Sequence, residues 1–237
     1  MIASMDDEPS RPTRRLIDLS LVACTAVPHA KLSIFDERLS KEPRRFDHWP
    51  GEHYRLLNAL VRTLRPRRVI ELGTCTGMGT LSLLQSLPSG GRITTFDPLG
   101  WETFGLTWLT PSDFADGRVV QVRDDVSTPD GIAPHRALFE STDLIFIDGH
   151  KDGYTEAGVL ANLATLDLAP HVVVVVLDDI RVMNMIDVWH RILRPKMDLT
   201  SFGHWSGTGL IDWNGEQQDV EAGRHRRFSP ARRLPAS

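Results

Sequence analysis

Six carboxylates stand where apolar runs of this chain end: Glu71, Asp97, Asp125, Asp148 and the adjacent pair Asp178–Asp179. In an open α/β sheet, ligands sit outside the carboxyl ends of the strands, so these acids are expected on one rim. Carboxylates crowded there repel one another unless cations or hydrogen-bond donors come between them. Two groups able to move a proton follow Asp148 directly. His150 is of the residue type that titrates near neutrality. Lys151 can serve as a base where burial or a neighbouring cation lowers its pKa.

The rim needs a frame, and VIELGTCTGM (69–78) supplies its first unit. An apolar, β-branched run enters Glu71. Gly73, Thr74, Gly77 and Gly79 follow, and then TLSLLQSL has the apolar spacing of a helix. Strand, glycine turn and helix open a nucleotide-binding α/β sheet. The form is E-x-G-x-x-x-G, not the G-x-G-x-x-G that cradles a pyrophosphate. Asp97 lies about 20 residues beyond the turn, where a carboxylate accepts hydrogen bonds from ribose hydroxyls. Before Pro98 it can equally be a turn or capping residue. Asp125, beside Asp124, stands where an acid meets an adenine amino group in this fold, or else shapes the turn before Ser127 and Pro129.

The remaining elements alternate. GEHYRLLNALVRTL (51–64) is a helix with Tyr54, Leu57, Leu60, Val61 and Leu64 on one face. Strands are expected at 67–72, 92–97, 118–125, 142–149 and 171–179, with helices at 80–87, 155–166 and 183–193. The runs at 142–149 and 171–179 are apolar throughout, as strands covered on both faces should be. Residues 197–213 read as two antiparallel strands around a WSG turn. The pattern implies an α/β, doubly wound, mostly parallel seven-stranded sheet ending in an antiparallel hairpin. Expected boundaries are a disordered segment at 1–15, a cap at 16–50, the main domain at 51–215 and a tail at 216–237. Trp49, Trp101, Phe104 and Trp108 fall in segments that could roof the rim or serve as core.

Composition narrows the class. The chain has 237 residues, 41% hydrophobic and 24% charged, which suits one large soluble domain. No run approaches a membrane span, and the N-terminus lacks the apolar stretch of a signal peptide. Two cysteines speak against a disulfide scaffold and for a cytoplasmic setting. A net charge of −4 offers no general attraction to nucleic acid; the five arginines between 224 and 233 read as a solvated tail. The expected partner is a small molecule, with neither membrane nor nucleic acid; homo-oligomerisation stays open.

The glycine turn resembles motif I of class I S-adenosylmethionine (SAM) methyltransferases. In that family the acid and turn, here Glu71, Gly73, Thr74 and Gly77, hold the amino-acid end and ribose of SAM. IDGH (147–150) and LDDI (177–180) resemble the metal-dependent O-methyltransferases, a group that includes catechol-type and sugar-modifying enzymes. The resemblance covers about 51–213, through PGEHY, ELGTCTG, DLIFIDGHKDG, DDIR and WSGTG. It implies that Asp148, Asp178 and Asp179 hold a divalent cation, with Asp148 also near the cofactor. Hard oxygen ligands suit Mg²⁺. The sugar-modifying branch has an acid as general base where this chain has His150, so the base falls to His150 or Lys151. The implied activity is SAM-dependent methyl transfer to a hydroxyl of a small molecule. Rivals are a metal-independent N- or O-methyltransferase, a nicotinamide-dependent oxidoreductase and a SAM-binding protein without transfer activity.

Overall fold

The computed structural model describes residues 10–38, 51–168, 173–203 and 205–216. Trp49, the arginine-rich 224–233 segment, most of the expected N-terminal segment and part of the expected cap lie outside these residues. Seven strands form one sheet in the order β3-β2-β1-β4-β5-β7-β6. They are β1 Arg68–Leu72, β2 Arg92–Phe96, β3 Val119–Val122, β4 Leu144–Ile147, β5 Val174–Asp178, β6 Lys196–Asp198 and β7 Thr208–Asp212. The first five run parallel, and β7 is antiparallel to both β5 and β6. The expected hairpin is present: β6 and β7 are consecutive strands that pair antiparallel, and its second strand, β7, is the one that lies beside β5.

Both faces of the sheet are buried, which explains the continuous apolar runs. Successive side chains on a strand point to opposite faces. Ile145, Ile147, Val175 and Leu177 join one core cluster, while Leu144, Phe146, Val174 and Val176 join another. Helix α1 (Arg14–Ala26) and helix α2 (Gly51–Leu64) cover the second face, through Leu16, Leu56, Leu57 and Leu60. Helix α4 (Tyr154–Leu163) and helix α5 (Met183–Arg191) cover the first, through Val159, Leu163, Met185 and Trp189. Phe146 is fully buried, and truncating such a ring to alanine costs about 3–5 kcal/mol. Helix α1 begins inside the segment expected to lack order. The Thr13 hydroxyl caps it by accepting the Leu16 N–H at 3.1 Å. Arg15 then ion-pairs with Asp212, which is 1% exposed, and so ties the helix to β7.

The parallel register sets up the rim. Leu72 lies opposite both Phe96 and Ile147, and Ile147 lies opposite Leu177. The next residues extend that row. Gly73 N–H donates to the Phe96 carbonyl at 2.8 Å, Asp148 N–H to Leu72 at 2.8 Å, and Asp97 N–H to Val122 at 3.1 Å. Gly73, Asp97, Asp148 and Asp178 therefore leave the sheet side by side. β3 ends at Val122, before Asp124 and Asp125, which lie in the turn beyond it.

Candidate active site

The first half of the site is made of backbone. Gly73 has φ +100°, and a Cβ placed there would lie 2.0 Å from the Asp148 carbonyl oxygen. The glycine is needed because the ends of β1 and β4 touch, not only because a ligand comes close. Gly77, at φ +82°, forms the N-terminal cap of helix α3 (Met78–Ser86). Cys75 N–H donates to Asp97 Oδ2 at 3.1 Å, and Leu99 N–H to Asp97 Oδ1 at 2.9 Å. Asp97 thus braces the glycine turn while lining a cavity of about 350 Å³. Gly73, Phe104, Asp125, Asp148 and His150 line the same cavity. Asp125 folds into a local turn, accepting Ser127 N–H at 3.0 Å and Ser127 O–H at 2.6 Å. Beside it, His135 Nε2 and Asp124 lie 2.6 Å apart.

Two turn residues sit deeper than the sequence suggested. Thr74 is 2% exposed; its hydroxyl lies 2.8 Å from that of Thr95 and accepts Gln121 Nε2–H at 3.0 Å. Glu71 is fully buried in the body of β1 and accepts a short hydrogen bond from Thr80. Burial pushes its carboxyl up to about 8, although the hydroxyl bond pulls the other way. Both residues face the packing under the turn, and neither lines the cavity.

The second half is made of charge. Lys151 Nζ contacts Asp148, stands 3.3 Å from Asp178 Oδ2 and 2.7 Å from Asp179 Oδ2. Gly149–Asp152 curls to bring it there: Lys151 adopts φ +61°, and its N–H donates to Glu156 Oε1 at 2.9 Å. Asp178 ends β5, and Asp179 leaves it with φ +56°, which lets both acids reach one point. Burial opposes the lysine's charge, but the three carboxylates outweigh it and hold Lys151 protonated well above the usual lysine range. One ammonium cannot compensate three carboxylates. Desolvation, and then Asp178 and Asp179, push Asp148 up to about 7 against the pull of Lys151. The three acids expected to share a cation do share one here, so the donor set fits a single divalent ion of oxygen-loving type.

The helix α2 residues His53 and Tyr54 also face this cluster. His53 is 2% exposed, and its Nδ1 lies 3.5 Å from Asp178 Oδ1. Burial, then Asp148 and Asp178, push the Tyr54 phenol well above its ordinary value. Tyr54 counted only as an apolar position of a helix, and His53 carried no local signal beyond its place in PGEHY. His150 is exposed at the cavity edge. Trp101 stacks on Phe114, with ring centroids 5.3 Å apart, and packs with Trp108 against Leu81 and Leu109, while Phe104 lines the cavity. A larger cleft, about 800 Å³, opens between α4 and α5, but it contains none of the strand-end acids. Asp97, Asp125 and Asp148 line the smaller cavity instead.

Residues 70–180 match the methyltransferase domain family. The chain is similar to tricin synthase 1 of Oryza sativa subsp. japonica, at 25% identity over 142 residues, 56% of this chain and 55% of that protein. It is also similar to caffeoyl-CoA O-methyltransferase of Stellaria longipes, at 28% identity over 101 residues, 42% of each. The chain thus spans about half the length of the curated relatives it matches. Among solved structures, the SAH-bound Podospora anserina methyltransferase shares the fold, with a TM-score of 0.54 and 15% identity over 90% of this chain and all of that one.

Proposed function

We propose that this chain, whose residues 70–180 match the methyltransferase domain family, is a class I SAM-dependent enzyme that transfers the SAM methyl group to a hydroxyl of a small molecule, assisted by a divalent cation. The acceptor class is a sugar, phenol or secondary metabolite. The observation that carries this reading is the meeting of the two halves at Gly73 and Asp148, which puts a ligand cavity beside a three-carboxylate cluster. The names of the relatives support O-methylation and SAH binding. In the same reading the enzyme works in the cytoplasm. Among the described residues no helix is long and apolar enough to cross a membrane.

SAM would supply a methyl on a sulfonium, and a cation such as Mg²⁺ would supply Lewis acidity that lowers the acceptor hydroxyl pKa. The chain's own residues do the rest. Asp97 is held in place by two backbone N–H groups and accepts ribose hydroxyls. Gly73 and the rest of its turn leave room for the amino-acid end, braced from beneath by Glu71 and Thr74. Asp125 closes the adenine side. Asp148, Asp178 and Asp179 would hold the cation, and much of the acceleration would come from positioning the acceptor. The acceptor proton goes to His150 at the open edge, or to Lys151 once it has left its carboxylates and given up its own proton to solvent.

The test is a screen of phenolic and sugar acceptors with methyl-labelled SAM, with Mg²⁺ and with excess EDTA. Labelled methyl ether formed only with the cation is expected; label arriving on nitrogen, or none on any acceptor, counts against the proposal. One observation favours a second reading, transfer without metal: Lys151 already bridges the three acids. Full turnover in EDTA would select it. Comparing His150→Ala with Lys151→Ala assigns the base, whose loss should lower kcat about 10²–10⁴-fold.

A further inference from the structure

The resemblance points to oxygen ligands alone, yet the structure brings an imidazole to the same place. His53 comes from helix α2, far from β4 and β5 in sequence, and its ligating atom lies within 4.8 Å of those of Asp148 and Asp178. Two donors on opposite sides of one ion, each bonded at about 2.2 Å, are about 4.4 Å apart, so shifts of a few tenths of an ångström close the set. The ring is also held. It lies 5.0 Å from the Tyr54 ring and 5.6 Å from that of Phe146, centroid to centroid, and its Nδ1 is 3.4 Å from Thr208 Oγ1. Thr208 faces Asp178 in the β5–β7 register, so the hydroxyl that orients the ring and the acid it meets are fixed by one pair of strands.

We propose that His53 supplies a nitrogen ligand to the divalent cation held by Asp148 and Asp178, and that the site prefers a first-row transition ion over Mg²⁺. This rests on the cation assistance assigned above and adds the identity of the ion. Mg²⁺ is a hard ion that takes oxygen and keeps its waters, whereas imidazole suits Fe²⁺, Ni²⁺ and Zn²⁺, and Mn²⁺, the weakest binder of that first-row series, still accepts a nitrogen ligand more readily than Mg²⁺ does. A buried imidazole facing two carboxylates changes the donor set from all-oxygen to mixed. The ion takes the place that Lys151 Nζ holds among the acids, and the lysine's long flexible stem lets the ammonium withdraw.

The experiment titrates metal-stripped full-length protein with MnCl₂ and with MgCl₂ by calorimetry, in the parent, His53→Gln and Asp178→Asn. The Mn²⁺-loaded parent is then examined by electron spin-echo spectroscopy for modulation from a coordinated imidazole nitrogen. Expected are Mn²⁺ binding at least about tenfold tighter than Mg²⁺ in the parent, nitrogen modulation in the parent, and loss of both features in His53→Gln. That variant should keep Mg²⁺ affinity within about threefold and keep SAH affinity. Asp178→Asn should weaken both ions. Binding of both ions with no nitrogen modulation, or an unchanged Mn²⁺ to Mg²⁺ ratio in His53→Gln, overturns the role of His53 and leaves cation assistance standing. Failure of both ions to bind the parent overturns the role of His53 and cation assistance together. If His53→Gln does not fold, the spin-echo result on the parent decides alone.

Discussion

Over β1 and β2 the loops are set by backbone; over β4 and β5 they are set by charge. Gly73, Gly77 and the N–H groups of Cys75 and Leu99 shape the first region, and Asp97 is the acid they hold. In the second, Lys151 gathers Asp148, Asp178 and Asp179, with His53 behind them. A backbone site keeps its shape through a local run of residues. A charge site exists only when segments far apart in sequence are folded together. The two should fail differently when altered, and the variants below separate them or show that they are one.

The largest effect is expected from the charged half. Asp148→Ala and Asp178→Ala should each lower kcat about 10²–10⁴-fold, the range expected when acceptor positioning and activation are lost. SAH affinity should stay nearly unchanged in both. The fold should survive, because two carboxylates still face Lys151 when one is removed. Steady-state kinetics with SAH calorimetry checks this; a parallel loss of SAH binding would mean that the halves are not separate.

Gly73 is the joint between them. Gly73→Ala puts a Cβ 2.0 Å from the Asp148 carbonyl, at a φ of +100°. Left-handed strain and overpacking together should cost roughly 2–4 kcal/mol in urea unfolding. This variant should damage SAH binding and metal binding together. If it loses only SAH affinity at parent stability, the glycine serves the ligand and not the joint.

How far the sequence foretold each half follows from the same contrast. The glycine turn, Asp97 and the order of the parallel strands were legible because each is encoded by a short run: apolar residues, then an acid or glycine. Asp178 and Asp179 were legible as strand-end acids. What fills the space between them was not, because Lys151 reaches it by a left-handed turn and His53 arrives on a separate helix. Glu71 misled in the other direction. Its place in the motif suggested the rim, but it lies opposite Thr95 and Phe146 inside the sheet, and only the packing of neighbouring strands shows that. The same holds for β7, whose place beside β5 is a matter of pairing and not of local pattern.

Glu71 offers a smaller test, on the floor beneath the backbone half. Its carboxyl is held up to about 8 in the fold, against an ordinary 4.5. Between those values it is neutral when folded and charged when unfolded. The stability it contributes is therefore present below about 4.5 and lost as pH rises through about 8. Glu71→Gln keeps an acceptor for Thr80 and cannot titrate. Its unfolding free energy should fall less than the parent's between about pH 5 and 8, by roughly 3 kcal/mol. Equal slopes in urea unfolding across that range would show that the carboxyl is already charged in the fold.

SAM binding at the backbone half should be independent of the charged one. Calorimetry with S-adenosylhomocysteine, in EDTA and in Mn²⁺, on the parent and on Asp97→Ala, tests it in one series. One-site binding by the parent in both buffers is predicted. Asp97→Ala should bind at least about tenfold more weakly, since it loses charge-assisted hydrogen bonds worth about 1.5–3 kcal/mol. No heat with the parent, or equal affinity in Asp97→Ala, would contradict the assignment of the cofactor site.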